Sequence, residues 1–328
     1  MKRFLQIAAC AVFTLSQLDA SYYDSYQESS MDGSSHQWAV SGSFLWWKAV
    51  EDNLPIAIVT DAISETESSS HVLNHNYKWD PGFRLGVGYE PCGCDWGFYA
   101  AWTHFNSKAS RTFVSDDPTE TIVPQWGSLL PFTSAATQLS SDWHLKLNWA
   151  DFELNKLLCS GECFQFDVHA GLRAAWVDQK HHFDIANTVA VNSVHSKSDY
   201  SSVGVVAGLG ARWMVGAGLN IHACAGGALL YGKQKSNFSE TLLVDGITTS
   251  HDGSNNYNVS RAMTDVSLGI GWEGPICECW TLGLALDWEH HFLFNQNHFP
   301  RGSFSPSAHP RSGDLSMQGL TATAYLTF

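Results

Sequence analysis

Residues 164–176 read FQFDVHAGLRAAW, with Phe164, Phe166, Val168, Ala170, Leu172, Ala174 and Trp176 at every second position and Gln165, Asp167, His169, Gly171, Arg173 and Ala175 between them. Successive side chains of a β-strand point to opposite faces, so this ribbon has one apolar face and one largely polar face. An ordinary strand runs about 5 or 6 residues, whereas a tilted strand that crosses a bilayer needs roughly 9 to 11. The segment is long enough for the second case. Its alternation is what lipid outside and water inside would impose.

The same pattern recurs over 280–289, 83–90 and 203–213, and more weakly over 38–49, 96–107, 219–233 and 262–273. On 203–213 the polar face holds Gly204, Gly208, Gly210 and Arg212. Segment 142–157 changes phase, with Leu145, Leu147 and Trp149 on one parity and Phe152 and Leu154 on the other, and so predicts a β-bulge. The spacers alternate too: long at 50–77, 109–141, 183–199, 234–258 and 295–313, short at 91–94, 159–163, 216–218 and 274–279. Long loops on one rim and short turns on the other describe an outer-membrane barrel. The expected fold is all-β: a transmembrane antiparallel up-and-down β-barrel of about ten strands (range about 8 to 16), with short periplasmic turns and long extracellular loops.

Composition points the same way. Charged residues are 15% of the chain and Trp numbers 14, against roughly 25% charged in typical soluble proteins. The opening, Met1-Lys2-Arg3 followed by an apolar run over 4–15 and Leu18-Asp19-Ala20, predicts a cleaved signal peptide over 1–20 that takes Cys10 with it. A periplasmic N-terminal segment over 21–37 and a barrel over 38–328 complete the expected organisation. The net charge of −14 argues against nucleic acid as a partner. Outer-membrane lipid and lipopolysaccharide are the expected surroundings, and no cofactor or metal is expected.

Aromatic residues mark the ends of the segments. Tyr89, Trp96, Phe164, Trp213, Trp272 and Trp280 lie beside short turns, while Trp46, Trp102, Trp176, Tyr231 and Trp288 lie towards long spacers. Indole and phenol rings favour the headgroup layer, so these residues are the expected membrane-interface girdle. The chain stops at Phe328 after GLTATAYLT, the kind of aromatic-terminated last strand that serves as an insertion signal for the outer-membrane assembly machinery.

Six of the seven cysteines beyond the signal segment fall in three of the four short turns: Cys92 and Cys94, Cys159 and Cys163, Cys277 and Cys279. An exported chain meets an oxidising compartment, which makes these disulfide candidates. Cys92 and Cys94 are too close for an unstrained ring with each other. Bonding to another turn, another copy or a cysteine-rich envelope protein is expected instead, with free structural thiols and, more weakly, a zinc thiolate cage as the alternatives. Cys224 is read as a small apolar residue on the inward parity. The doublets His181-His182 and His290-His291 place neighbours on opposite faces and are read as loop-proximal, partly solvated side chains.

FLWWKAVED (44–52), KWDPGFRLGVGY (78–89), WTHF (102–105), AGLRAAWVDQ (170–179), LLYGK (229–233), WEHHFLFNQN (288–297) and GDLSMQGLTATAYLTF (313–328) run through nearly the whole mature chain. Together they resemble the major outer-membrane protein-like, pore-forming family of chlamydia-related and legionella-type bacteria. The resemblance implies an outer-membrane barrel with pore activity and supplies no catalytic residue.

Arg84, Asp167, His169, Arg173, Arg212, Asp265, Asp287 and Glu289 fall on the inward parity and are the expected pore-lining residues. Charges of both signs facing a lumen would order water and select small polar solutes, a porin-like passive diffusion. Eight strands leave an interior that side chains fill, and about ten lies near that limit. The expected alternative is a surface-interaction or structural envelope barrel, crosslinked by periplasmic-side disulfides and working through loops such as 64–71 and 245–258. Enzymatic activity is not expected, because no spacing selects a catalytic triad and no Gly-x-Ser-x-Gly is present.

Overall fold

The computed structural model describes residues 37–64, 67–91, 96–115, 120–127, 137–161, 163–277, 279–299 and 313–328. The expected signal peptide and nearly all of the N-terminal segment lie outside these residues, as do Cys92 and Cys94. Among the described residues thirteen strands are formed: β1 (Gln37–Glu51), β2 (Ala57–Ser64), β3 (Glu67–Leu73), β4 (Trp79–Glu90), β5 (Trp96–Val114), β6 (Glu120–Pro124), β7 (Gln138–Ser160), β8 (Phe164–Ala186), β9 (Ala190–Gly216), β10 (Leu219–Val244), β11 (Ile247–Cys277), β12 (Trp280–Asn297) and β13 (Gly313–Thr327).

Ten of these form one antiparallel ring in the order β1-β4-β5-β7-β8-β9-β10-β11-β12-β13. β13 pairs with β1 from Ala39↔Thr327 to Glu51↔Leu315, so the last strand closes on the first. The terminal residue extends that seam, since Trp38 N donates to Phe328 O at 2.8 Å and Phe328 N to Trp38 O at 2.9 Å. A closed ring of strands leaves no unpaired backbone edge against hydrocarbon.

Facing follows the sequence alternation. On β8, Phe164, Leu172 and Trp176 are exposed while Gln165, Asp167, His169 and Arg173 are buried. Every expected girdle tryptophan, Trp46, Trp96, Trp102, Trp176, Trp213, Trp272, Trp280 and Trp288, is exposed on the outer wall. Tyr89 is half-buried there because its ring lies 4.6 Å from that of Trp38. Phe328 stacks on Trp280 at 5.0 Å, at the periplasmic rim.

Two expectations differ from the structure. No bulge interrupts β7 at the phase change: Leu145, Leu147 and Trp149 stay on the buried face and Phe152 and Leu154 on the exposed face, and the register shifts only between Leu157 and Cys159. What changes along β7 is the solvent on each side. Towards the outer end the lumen side is apolar and the outer wall carries His144 and Lys146; lower down the lumen side carries Glu153 and Asn155 and the wall is apolar.

Two of the long loops are instead strand. β8 and β9 continue to a three-residue connection at 187–189, and β10 and β11 to a turn at Asp245-Gly246. Both turn residues have positive φ, 49° and 81°, the geometry for which Asp-Gly is suited in two-residue hairpins. Loop 245–258 is therefore mostly β11, and loop 64–71 mostly β3. With 23, 23, 27, 26 and 31 residues, β7–β11 far exceed the roughly 9 to 11 needed to cross, and the barrel wall rises high on that side.

The remaining strands form a separate sheet, β3-β2-β6, rather than widening the barrel. It caps the outer mouth. Ile56, Ala57, Leu73, Ile122 and Trp126 share one buried core with Trp143, Phe183 and Val194 of the tall wall. The Trp126 indole donates to Pro55 O at 2.7 Å, which ties the β6 segment to the β1–β2 connection.

Leu284 is exposed midway between Trp280 and Trp288, while Ala285 turns inward. An arginine facing lipid at the midplane costs about 2–4 kcal/mol. Leu284→Arg should markedly reduce the fraction migrating as a compact, heat-modifiable band, and Ala285→Arg should retain it.

Candidate functional site

The inward residues meet in a charged crossbar that spans the lumen. Arg84 on β4 donates Nε to Thr103 Oγ1 at 3.0 Å and grips Glu289 of β12 with both terminal nitrogens, at 3.1 and 3.0 Å. Glu289 Oε2 lies 2.9 Å from His291 Nε2, and His291 Nδ1 lies 2.6 Å from Asp265 Oδ1 on β11. Asp265 Oδ2 accepts from Arg173 Nη1 of β8 at 2.6 Å, and Arg173 grips Asp151 of β7 through Nε and Nη2 at 2.6 and 3.1 Å. Two arginines and one histidine thus face three carboxylates. Each ring nitrogen of His291 faces a carboxylate oxygen, an arrangement in which both donate.

Packing fixes this chain. The His291 ring lies 4.8 Å from Trp47 and 5.1 Å from Trp149, and the Arg84 and Arg173 guanidinium carbons sit 5.8 and 5.4 Å from the same two indoles. Planar cations stack well on aromatic faces. Nearer the periplasm, His222 Nε2 lies 2.7 Å from Asp287 Oδ1, and Arg212 Nη1 donates to Glu273 Oε1 at 3.0 Å, with Tyr325 donating to the same carboxylate. Asp167 and His169 lie across β9, where a Cβ at Gly210 would sit 1.5 Å from Asp167 Oδ1. The glycine face of β9 exists to make that room. Asn155 Oδ1, Asn220 Nδ2 and Asp287 Oδ2 are buried here with no hydrogen-bond partner among the described residues, the condition that recruits water.

The structure brings Arg84, Glu289, Asp265 and Arg173 into one network and places Asp287 and Arg212 in separate pairs below it. Asp167 and His169 are inward and buried, outside the crossbar. Sequence reasoning missed Asp151, His222, Glu273 and His291. For His291 the reading was wrong: it is 4% exposed, as His181 is 1%, because the inward member of each doublet enters the packed interior while His290 and His182 turn outward. At the periplasmic rim Cys159, Cys163, Cys277 and Cys279 are exposed, with no disulfide among the described residues, and Cys224 is half-buried on the inward parity.

Above the crossbar, His75 joins cap to wall. Its Nε2 lies 2.9 Å from Ser141 Oγ, which lies 2.9 Å from His181 Nε2, and Trp126 packs 4.4 Å from the His181 ring. Burial lowers the His75 pKa to about 4.

The family described as Legionella pneumophila major outer membrane protein precursor matches residues 32–328. The chain belongs to this family. It is a bacterial outer-membrane β-barrel. No curated protein sequence matches it. Among solved structures, the outer membrane protease OmpT from Escherichia coli is 9% identical over 91% of this chain and 99% of that one, with a TM-score of 0.40. A Pseudomonas aeruginosa FadL homologue is 9% identical over 96% and 94%, at 0.31. Ail, the attachment invasion locus protein of Yersinia pestis, is 8% identical over 90% and 99%, at 0.21. At these identities and scores none lends its activity to this chain.

Two outcomes follow from this site. Removing one partner of a buried ion pair costs about 3–5 kcal/mol, while replacing both by apolar groups is often neutral. Arg84→Met should lower the urea midpoint of the refolded barrel by that equivalent, and Arg84→Met/Glu289→Met should recover most of it. For His75, a folded pKa near 4 lies below the ordinary value of 6.5. The stabilisation is therefore present above about pH 6.5 and is lost as pH falls towards 4, by roughly 3 kcal/mol in all. Proteolysis within 52–78 should accelerate over that window, and His75→Leu should flatten the profile.

Proposed function

We propose that the protein is a pore-forming outer-membrane barrel for small polar solutes, held shut at rest by its charged crossbar and by the capping sheet. The observation that carries this reading is the polar inner wall at membrane depth. A lumen meant only to be filled is most stably filled with apolar side chains, as its outer part is. Burying ion pairs generally brings no net stability over such packing. Three carboxylates, two guanidiniums and an imidazole across the lumen are a costly plug but a usable pathway, since parting Arg84 from Glu289 leaves a hydrated, charged passage. The polar atoms beneath the crossbar fit a wet periplasmic vestibule.

A second reading, a structural or surface-interaction barrel with no enzymatic activity, draws on two observations: the apolar closure of the outer mouth, and the exposed cysteines of the periplasmic rim. Those thiols are placed for disulfides to another copy or to a cysteine-rich envelope protein.

Planar-bilayer recording separates the two. Wild-type protein should give small, infrequent openings. Arg84→Ala combined with replacement of 57–73 by a short linker should raise mean conductance at least about tenfold, the effect of removing roughly 1.4 kcal/mol of closure. A folded variant that stays silent would refute the pore and leave the structural reading.

A further inference from the structure

Lysine is unevenly placed on the outer wall. Lys108, Lys146, Lys180, Lys197, Lys233 and Lys235 all face outward on β5 and β7–β10, beyond the upper aromatic girdle, and they are six of the ten lysines in the chain. Four cationic or titratable side chains stand in one register row across four strands: Lys108↔His144, His144↔Lys180, Lys180↔Lys197. Lys197 pairs with Asp199 at 2.6 Å. The other five lysines make no ion pair among the described residues. In a chain of net charge −14, this wall gathers most of the lysine.

The row borders a concavity. A groove of about 840 Å³ opens on the outward face of β7–β11, lined by His144, Lys180, His182, His195, Lys197 and Asn237, with Ser239 and Ser254 adding hydroxyls. His182 and His195 stack at 4.0 Å within it. Its acidic members are Asp142 and Asp252, and Asp178, Asp184 and Asp199 lie nearby on the same face.

Height selects the occupant. Lys180 follows the girdle residue Trp176 by four positions, about 13 Å along a strand and roughly 10 Å along the membrane normal after tilt. The row therefore stands just outside the acyl boundary, where headgroup phosphates lie. Lysines at this level attract anionic lipid headgroups, and the neighbouring amide and hydroxyls suit sugar hydroxyl groups.

We propose that this groove is a binding site for the phosphorylated sugar headgroup of an outer-leaflet glycolipid of the lipid A type. Lys180 and Lys197 hold a phosphate at the centre of the row, and Lys108 and His144 extend the contact. The site is independent of whether the lumen conducts, and it places a fixed annular lipid against the tall side of the barrel.

The test uses full-length protein in detergent micelles, titrated with diphosphoryl lipid A and with the same lipid stripped of both phosphates. Wild-type protein should bind the phosphorylated form at least about tenfold more tightly. Lys180→Glu/Lys197→Glu should abolish that preference, while Lys48→Glu, outward on β1, should leave it intact. Lys180→Gln/Lys197→Gln gives the same reading if the charge-reversed protein fails to form a heat-modifiable band. Equal binding of both lipids by wild type, or an unchanged preference in the double variant, would overturn the site. Displacement of the lipid by equimolar inorganic phosphate would do so as well, by identifying a free-anion site.

Discussion

Hydrocarbon offers no hydrogen bonds, so every backbone N–H and C=O at membrane depth must be paired within the protein. That requirement makes the ring, and the ring dictates the rest. Once β13 pairs with β1, each strand has an outer and an inner face and residue parity decides which side chain meets which solvent. The seam carries a particular burden because it joins the first strand of the ring to the last. Hydrogen bonds between Trp38 and Phe328, reinforced by the Phe328–Trp280 stack, extend it to the last residue.

The ring also defines where the membrane ends. On β7 and β8 the polarity of the two faces inverts near Ala150 and Trp176. Within the membrane, Phe152 and Leu172 point out and Glu153 and Arg173 point in. Beyond it, Lys146 and Lys180 point out while Leu147 and Val177 point in. Above this line the wall behaves as a soluble sheet, with an apolar face that the β3-β2-β6 cap covers and a wet face on the outside. A single barrel thus contains a polar-cored stretch and an apolar-cored stretch in series, and the crossbar sits where they meet, beneath Trp47 and Trp149.

This inversion explains what was legible in the sequence. Alternation over 164–176 and 280–289 is read directly, because period two is a local property of a strand. The ten segments and their short turns follow from it. The phase change at 142–157 is equally visible but has two physical causes, a bulge or a change of solvent, and only the packing of Trp149 against Trp47 and His291 inside the lumen decides for the second. Strand continuing beyond the membrane resembles loop in sequence because its outward residues include Ser, Asn and Asp, and the Asp245-Gly246 hairpin signal lies hidden inside that polar run. The crossbar was half visible. Parity identified Arg84, Arg173, Asp265 and Glu289, but which carboxylate meets which guanidinium depends on the register and curvature of strands far apart in the chain.

The two kinds of basic residue are divided between the two faces, and the division has a chemical reason. Arg84, Arg173, Arg212 and Arg261 are all buried inside the barrel, where a planar, weakly hydrated guanidinium can grip a carboxylate with two parallel bonds and stack on an indole. Six lysines lie outside, above the girdle, where a compact and strongly hydrated ammonium on a flexible stem reaches into the headgroup layer. Exchanging the two would weaken both sites, since lysine cannot bridge Glu289 with two fixed donors and arginine has less need of the water that lysine keeps. The inner set holds the protein to itself; the outer set is the one that the proposed glycolipid site uses.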